Sequence, residues 1–166
     1  MLEIERKYMV INDDFLAMAT ASKRICQGYL STNPLSTIRV RTMDIKPLNG
    51  SDTPAEAKAY ITVKSKSKGC VRDEWEYEIP IDDAMQMMRL CECKLEKTRY
   101  IAHYEGYVWE VDIFEGALKG INIAEIELPD ADAKYAVPSF AGEEVTGNPM
   151  YFNSNLARCA STRSQR

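Results

Sequence analysis

Two glutamates and a lysine alternate with mostly apolar residues at the start of the chain. Glu3, Glu5 and Lys7 are spaced two residues apart, while positions 2, 4, 8 and 10 are apolar or aromatic. A period of two is typical of a β-strand, whose successive side chains point to opposite faces. The two carboxylates would lie about 7 Å apart on one face, a spacing that suits oxygen ligands of a hard divalent cation. A solvated strand face has the same pattern, so this stretch alone leaves both interpretations open.

The same alternation recurs along the chain and predicts seven more strands, each with one charged face. These strands are expected near residues 25–31, 37–43, 58–66, 71–79, 95–103, 109–113 and 121–128. The acids on the polar faces are Glu3, Glu5, Glu74, Glu76, Glu78, Glu110, Asp112, Glu125 and Glu127. The bases on the polar faces are Lys7, Arg39, Arg41, Lys58, Lys64, Lys66, Arg72, Lys97 and Arg99. The opposite faces are apolar and aromatic, which predicts that they are buried.

Helices and loops are expected between these strands. Asp82 or Asp83 can cap a helix that continues to Leu90 with a core-facing stripe of methionine and leucine. Other helical segments are predicted near residues 13–19, 129–137 and 155–160, and exposed loops over 44–57 and 142–149. No internal repeat or linker is present, so residues 1–160 are predicted to form one domain, followed by a tail without fixed structure at 161–166.

Eight strands with mostly short connections predict an α+β fold built on a largely antiparallel sheet that closes on itself. With helices packed outside and charge inside, the closed β-barrel would be a wide, water-filled tunnel. The alternative is a one-sided sheet whose outer face carries ion pairs. Surface pairs stabilise a fold by only about 0–1 kcal/mol each, so stability does not require so many. Enclosing the charges without a ligand would be costly, and a polyanion bridged by divalent metals removes that conflict.

Composition excludes several functions. The chain of 166 residues has a net charge of −4, which argues against a broad nucleic-acid-binding surface. It lacks an apolar run long enough to cross a membrane, and no targeting segment is expected before the first strand. Its cysteines are expected to be reduced, which predicts a cytoplasmic protein. Its five cysteines lack paired metal-ligand spacing. A nucleophile elbow and a Walker loop are absent, and the single histidine, His103, is predicted to lie on the surface.

The ordered set of charged motifs resembles the CYTH superfamily, the triphosphate tunnel metalloenzymes. The N-terminal Glu-x-Glu-x-Lys is similar to the signature of that family. Further similar segments are Gln27–Leu30, Arg39–Arg41, Thr62–Lys64, Glu96–Tyr100, Asp112-x-Phe114, Glu125-x-Glu127, Glu143–Thr146 and Tyr151–Asn153. The resemblance covers residues 2 to 157. It departs from the family pattern at Met150, where a basic residue is expected, and in the strand after Arg72, which carries one acid more than expected.

The resemblance implies an eight-stranded antiparallel tunnel that acts on triphosphates with Mg²⁺ or Mn²⁺. It implies that the metals are held by Glu3, Glu5, Glu125 and Glu127, with Asp112 as a further ligand. It implies that the phosphates are bound by Arg39, Arg41, Lys64, Arg72, Lys97 and Arg99. Lys7 and Tyr29 correspond to a lysine and a tyrosine that are thought to assist catalysis in short bacterial members of the family. The resemblance also implies that Lys7 contacts phosphate.

These expectations predict a metal-dependent hydrolase that cleaves inorganic tripolyphosphate to pyrophosphate and phosphate. The enzymatic alternatives are a class IV-type adenylate cyclase and a thiamine triphosphatase. A non-catalytic module that binds polyphosphate or a nucleotide is the alternative from another class. All four need the same charged cage. The expected partner is a small polyanion, with no nucleic acid or membrane, and a homodimer is compatible with the sequence.

Overall fold

The computed structural model describes residues 2–33, 35–48, 54–66 and 68–163, which form strands with two helices. The strands are β1 Leu2–Val10, β2 Ala19–Asn33, β3 Ser36–Pro47, β4 Glu56–Ser65, β5 Val71–Glu78, β6 Cys93–Tyr104, β7 Tyr107–Phe114, β8 Asn122–Glu127 and β9 Ala141–Glu144. The helices are α1 Ile81–Leu90 and α2 Asn153–Arg163. Short 3-10 turns lie at Asp14–Met18, Gly116–Leu118 and Pro149–Tyr151.

The sheet closes through its first strand. The strand order is β5-β4-β3-β2-β6-β7-β8-β1, and residues 2–4 of β1 pair antiparallel with residues 71–73 of β5. Residues 5–9 of β1 pair with β8 on the other edge. Past the start of β5 at Val71, Tyr8 and Val10 of β1 pair with the short β9. The predicted α+β fold is confirmed: an eight-stranded antiparallel closed β-barrel with a charged interior and helices packed outside.

Many outward-facing apolar residues are buried beneath the covering segments, but Trp75 and Tyr77 on the outer face of β5 are 44% and 61% exposed. Helix α1 places Ala84 and Met88, one turn apart, over Val40 and Ala59 of the barrel wall. Gly28 allows this close approach, because a Cβ atom there would lie only 2.7 Å from the Met88 Sδ atom. A second cluster of buried side chains surrounds Trp109 on the opposite side and includes Phe15 and Phe140 of the covering loops.

Helix α2 lies across one end of the barrel. Its residues Leu156, Ala157 and Ala160 pack in one buried cluster with inward-facing residues of the strands, among them Tyr29 and Phe114. These strand residues alternate with those that face α1 and the outer loops, so they point into the barrel. Helix α2 therefore closes the barrel interior at this end. No helix in the described ranges is long and apolar enough to span a membrane.

The structure corrects several predicted elements. The helix expected over 129–137 is wrong: after one turn at Ala133, the segment runs across the wall, where backbone carbonyls of Ala131 and Lys134 accept hydrogen bonds from Arg6 and Tyr107. The loop expected over 142–149 begins as β9, because β1 has a free edge there. Strand β2 begins at Ala19, six residues earlier than predicted.

The predicted C-terminal boundary also differs. Helix α2 continues through Arg163 and so includes the first residues of the expected tail. Residues 164–166 lie outside the described residues, as does the centre of the loop predicted over 44–57.

Candidate active site

A cavity of about 1200 Å³ lies inside the barrel and is called the tunnel below. Its lining includes all but two of the predicted site residues: Glu3, Glu5, Lys7, Tyr29, Arg39, Arg41, Lys64, Arg72, Arg99, Glu125 and Glu127. The two others, Lys97 and Asp112, are buried and do not line it. The alternation of each strand therefore turns its charged face inward, and closure brings these faces together.

On one side of the tunnel, β3, β4 and β5 form a chain of ion pairs with β1. Lys64 Nζ lies 3.0 Å from a Glu3 oxygen and 2.6 Å from a Glu74 oxygen. The guanidinium of Arg72 donates to Glu3 as well. Burial opposes the ionisation of Glu3, but Lys64 and Arg72 nevertheless hold its pKa far below the usual range. Glu3 is therefore a carboxylate at neutral pH.

Further along this side, two arginines share one carboxylate. Arg39 and Arg41 place guanidinium nitrogens 3.2 Å and 2.8 Å from oxygens of Glu76. The hydroxyl of Thr62 donates to the same carboxylate at 2.7 Å. The Nε–H groups of Arg39 and Arg41 are buried without a hydrogen-bond partner among the described residues. Buried donors of this kind are costly unless an acceptor binds to them.

On the other side of the tunnel, Lys7 and Arg99 pair with acids of β1, β7 and β8. Lys7 Nζ lies 2.9 Å from Glu5 and also donates to Glu125. Arg99 donates to the second oxygen of Glu125 at 2.8 Å. A longer contact of 3.5 Å between Arg72 and Glu5 joins the two sides. The ion pairs thus form one network across the lining.

The Lys97–Asp112 pair lies behind this lining. Lys97 is 1% exposed and Asp112 is fully buried, and the ammonium donates to the carboxylate. Arg99 donates to the two Asp112 oxygens at 2.6 and 2.7 Å. Burial, reinforced by Arg99, lowers the pKa of Lys97 to about 8. This arrangement makes Asp112 an anchor for two cations.

The carboxylates of β1 and β8 are the residues that fit a divalent cation. Glu5 lies directly opposite Glu127 in the β1–β8 pairing, and like charges at such positions repel. Burial, together with the charges of Glu3, Glu110 and Glu5, raises the pKa of Glu127, which makes no salt bridge to a described residue. A cation bound between these oxygens would relieve the repulsion.

The predicted metal ligands do not surround one common position in this structure. The described residues contain no group of three or more Asp, Glu, Cys or His side chains arranged around one metal position. The reason is visible in the ion pairs, because Glu3, Glu5 and Glu125 each contact a lysine or arginine. A bound cation would have to compete with these ammonium and guanidinium groups.

Lys7 and Tyr29 both line the tunnel but make no hydrogen bond to each other in the described structure. Burial opposes the charge of Lys7, but Glu125 and Glu5 nevertheless raise its pKa, so the ammonium persists at neutral pH. Burial raises the pKa of Tyr29 to about 12, and its hydroxyl accepts a hydrogen bond from Gln27 at 3.0 Å. Lys7 can therefore supply charge, and Tyr29 a neutral O–H donor.

Sequence reasoning missed other charged residues of the lining. Lys23 and Arg158 face the tunnel from β2 and from α2. Lys23 precedes the strand predicted from residue 25, so extending the alternation two residues backward would have found it. Glu74 and Glu76 lie on a predicted polar face to which the sequence assigns no role, although they pair with Lys64, Arg39 and Arg41. His103 is exposed, as predicted.

The ion-pair network predicts loss of stability in acid. The pKa values of Glu3, Glu76, Asp112 and Glu125 are all lowered, so these groups bind fewer protons in the folded than in the unfolded chain. Their stabilisation is present above the ordinary glutamate pKa of 4.5 and is lost as pH falls through the folded values. We expect the free energy of unfolding, measured in denaturant, to fall steadily from pH 5 to pH 3. A constant value over this range would contradict the network.

Comparisons with known proteins agree with this geometry. The CYTH domain model matches residues 1–158. An inorganic triphosphatase of Acetivibrio thermocellus is 41% identical over 158 residues, covering 94% of this chain and 93% of that protein. An inorganic triphosphatase of Nitrosomonas europaea is 32% identical over 161 residues, covering 95% and 97%.

Solved structures show the same architecture. The crystal structure of an inorganic triphosphatase is similar with a TM-score of 0.61 and 28% identity, covering 93% of each chain. A Pyrococcus horikoshii protein has a TM-score of 0.53 at 22% identity, covering 78% of this chain and 80% of that one, a likeness of fold alone. The family model, the two relatives and the charged tunnel lead to one assignment: the chain belongs to the CYTH domain family.

Proposed function

We propose that this protein is a metal-dependent triphosphatase that hydrolyses inorganic tripolyphosphate to pyrophosphate and phosphate. The observation that carries the proposal is the pair of Arg39 and Arg41 side chains in the tunnel lining, whose buried Nε–H groups lack an acceptor among the described residues. Phosphate oxygens are strong acceptors for guanidinium donors. The two relatives described above bear the name inorganic triphosphatase, which supports the same substrate.

The bases of the lining would bind the phosphate groups. Lys64 and Arg72 approach from one side and Lys7 and Arg99 from the other, and all of them now contact carboxylates. A polyanion can replace those carboxylates as the partner of the bases, which frees the acids for a metal. Substrate binding would therefore neutralise the bases with phosphate and the acids with metal.

A divalent cation is the cofactor that fits the acids. Carboxylate oxygens suit Mg²⁺ and Mn²⁺, and Glu3, Glu5, Glu125 and Glu127 would hold the ion. Such an ion neutralises phosphate charge and lowers the pKa of a bound water. Asp112 faces Lys97 and Arg99 instead, so we propose that it orients these cations.

The protein groups would act by stabilising charge. The Lys7 ammonium and the Arg99 guanidinium lie on the same side of the tunnel, where they can stabilise the negative charge of the departing phosphate. The Tyr29 hydroxyl can donate to a phosphate oxygen while it accepts from Gln27. Tyr29 is buried in the cluster beneath α2, and a buried setting strengthens these interactions.

A substrate panel tests the proposal. Tripolyphosphate, ATP and thiamine triphosphate are supplied with Mg²⁺ or Mn²⁺, and phosphate, pyrophosphate, ADP, AMP and cyclic AMP are measured. We expect tripolyphosphate to have the highest kcat/KM, with ATP cleaved more slowly to ADP or AMP, because hydrolysis needs only an aligned water and stabilised charge. Higher efficiency for cyclic AMP formation would favour the cyclase, and binding without turnover would favour a binding module.

A cyclase needs more than this lining provides. It must hold the ribose 3′-hydroxyl in line with the α-phosphate and so must also bind the base and the sugar. Of the 36 residues in the described lining 16 are charged, and we assign none of the others to base recognition. A cytoplasmic location and a homodimer remain predictions of the sequence.

A further inference from the structure

Lys23 of β2 is a tunnel base that differs from its neighbours. It lines the cavity and is half-buried, yet it makes no salt bridge to any described residue. The other lysines and arginines of the barrel interior each contact a carboxylate, while Lys66 and Arg158 of the lining are exposed to solvent. A half-buried ammonium without a counter-ion is unfavourable in the free protein.

The strand register places Lys23 at the end of the tunnel away from α2. It is six residues before Tyr29, which packs in the cluster of α2, so the two positions are about 20 Å apart along the strand. Its direct partners are Arg99 on β6 and Ile45 on β3. Burial lowers the pKa of Lys23, Arg99 and Arg41 lower it further, and Glu110 and Glu76 partly offset them. Two guanidiniums thus border a third cation.

We propose that Lys23, together with Arg41 and Arg99, forms a phosphate subsite at the end of the tunnel away from α2. The inference rests on the proposed function and names a substrate-binding residue beyond those predicted above. A phosphate oxygen supplies a counter-ion for Lys23 and can also accept from the Nε–H of Arg41, which has no acceptor in the part of the chain that the structure describes. Lys23 contributes to affinity, whereas the network around Lys7 stabilises the departing charge.

The test compares Lys23→Gln with a matched change on the outside of the wall. Lys46 is exposed on β3 and pairs with Ser22, the residue before Lys23. Lys46→Gln therefore removes the same charge from a neighbouring position on the outer face of the wall. Titration calorimetry with sodium tripolyphosphate in EDTA measures binding without turnover. We expect Lys23→Gln to weaken binding about tenfold or more, because a charge-assisted hydrogen bond is lost, and Lys46→Gln to bind like the parent.

Kinetics and stability separate this role from a structural one. Lys23→Gln should raise KM by a similar factor with kcat within about twofold of the parent, and its Tm should be equal or higher, because an unpaired half-buried charge is removed. Lys23→Arg should restore most of the affinity. Parent-like binding by Lys23→Gln, or an equal loss in Lys46→Gln, would overturn the subsite. If the parent protein binds tripolyphosphate but does not cleave it, the proposed hydrolase activity is refuted. The subsite is not, because calorimetry measures binding without turnover.

Discussion

Glu127→Gln should abolish most triphosphatase activity without weakening the fold. The substitution keeps the size of the side chain but removes one metal-ligand charge, so we expect kcat/KM for tripolyphosphate to fall by about two orders of magnitude or more. Glu127 makes no salt bridge to a described residue and faces Glu5 across the strand pair, so removing its charge relieves repulsion. The free energy of unfolding in metal-free buffer should therefore stay the same or rise.

The measurement pairs kinetics over a range of Mg²⁺ and Mn²⁺ concentrations with calorimetric metal titration. Glu78→Gln is the matched control, since Glu78 is an exposed glutamate at the end of β5 with only a 3.4 Å contact from Tyr60. The control should retain parent activity. Near-normal turnover in a folded Glu127→Gln protein would remove this residue from the site.

Asp112→Asn should instead weaken the fold itself. Its carboxylate accepts hydrogen bonds from Lys97 and Arg99, and both members of the Lys97–Asp112 pair are almost completely buried. Removing the anion leaves Lys97 with a 3.4 Å contact to Asn153 as its remaining polar partner among the described residues. We expect a loss of about 3–5 kcal/mol in the free energy of unfolding, because breaking a buried pair strands an uncompensated charge.

Chemical denaturation of the metal-free protein measures this loss. The double variant Asp112→Asn/Lys97→Met removes the stranded ammonium as well and should recover part of the stability, which identifies the pair as the cause. If Asp112 acts only as a metal ligand, the single variant will be as stable as the parent in metal-free buffer and will lose metal affinity.

The sequence carried enough information to predict the strands and their charged faces. In β1, the alternation of Glu3, Glu5 and Lys7 with apolar residues specifies which side chains share a face, because the period of a strand is two and depends on local geometry alone. Short connections, and strands with one charged and one apolar face, then indicated a closed antiparallel barrel. Most of the tunnel lining follows from these local patterns.

The predictions failed where the decisive interaction lies far away in the chain. Residues 129–137 looked helical, but carbonyls there bind Arg6 and Tyr107, more than twenty residues distant. Strand β9 was missed because its one partner among the described strands is the edge of β1, which lies more than 130 residues earlier in the chain. Local propensity is weak compared with such long-range pairing.

Tertiary structure alone decided which charges meet. Alternation placed Lys97, Asp112 and Glu127 on polar faces alike, yet the register buries the first two as a pair and leaves Glu127 opposite Glu5. The same register sets Lys23 beside Arg99 at the end of the tunnel that α2 does not close. The sequence by itself determined the inward face of each strand, whereas burial and partners depend on how eight strands are aligned when the barrel closes.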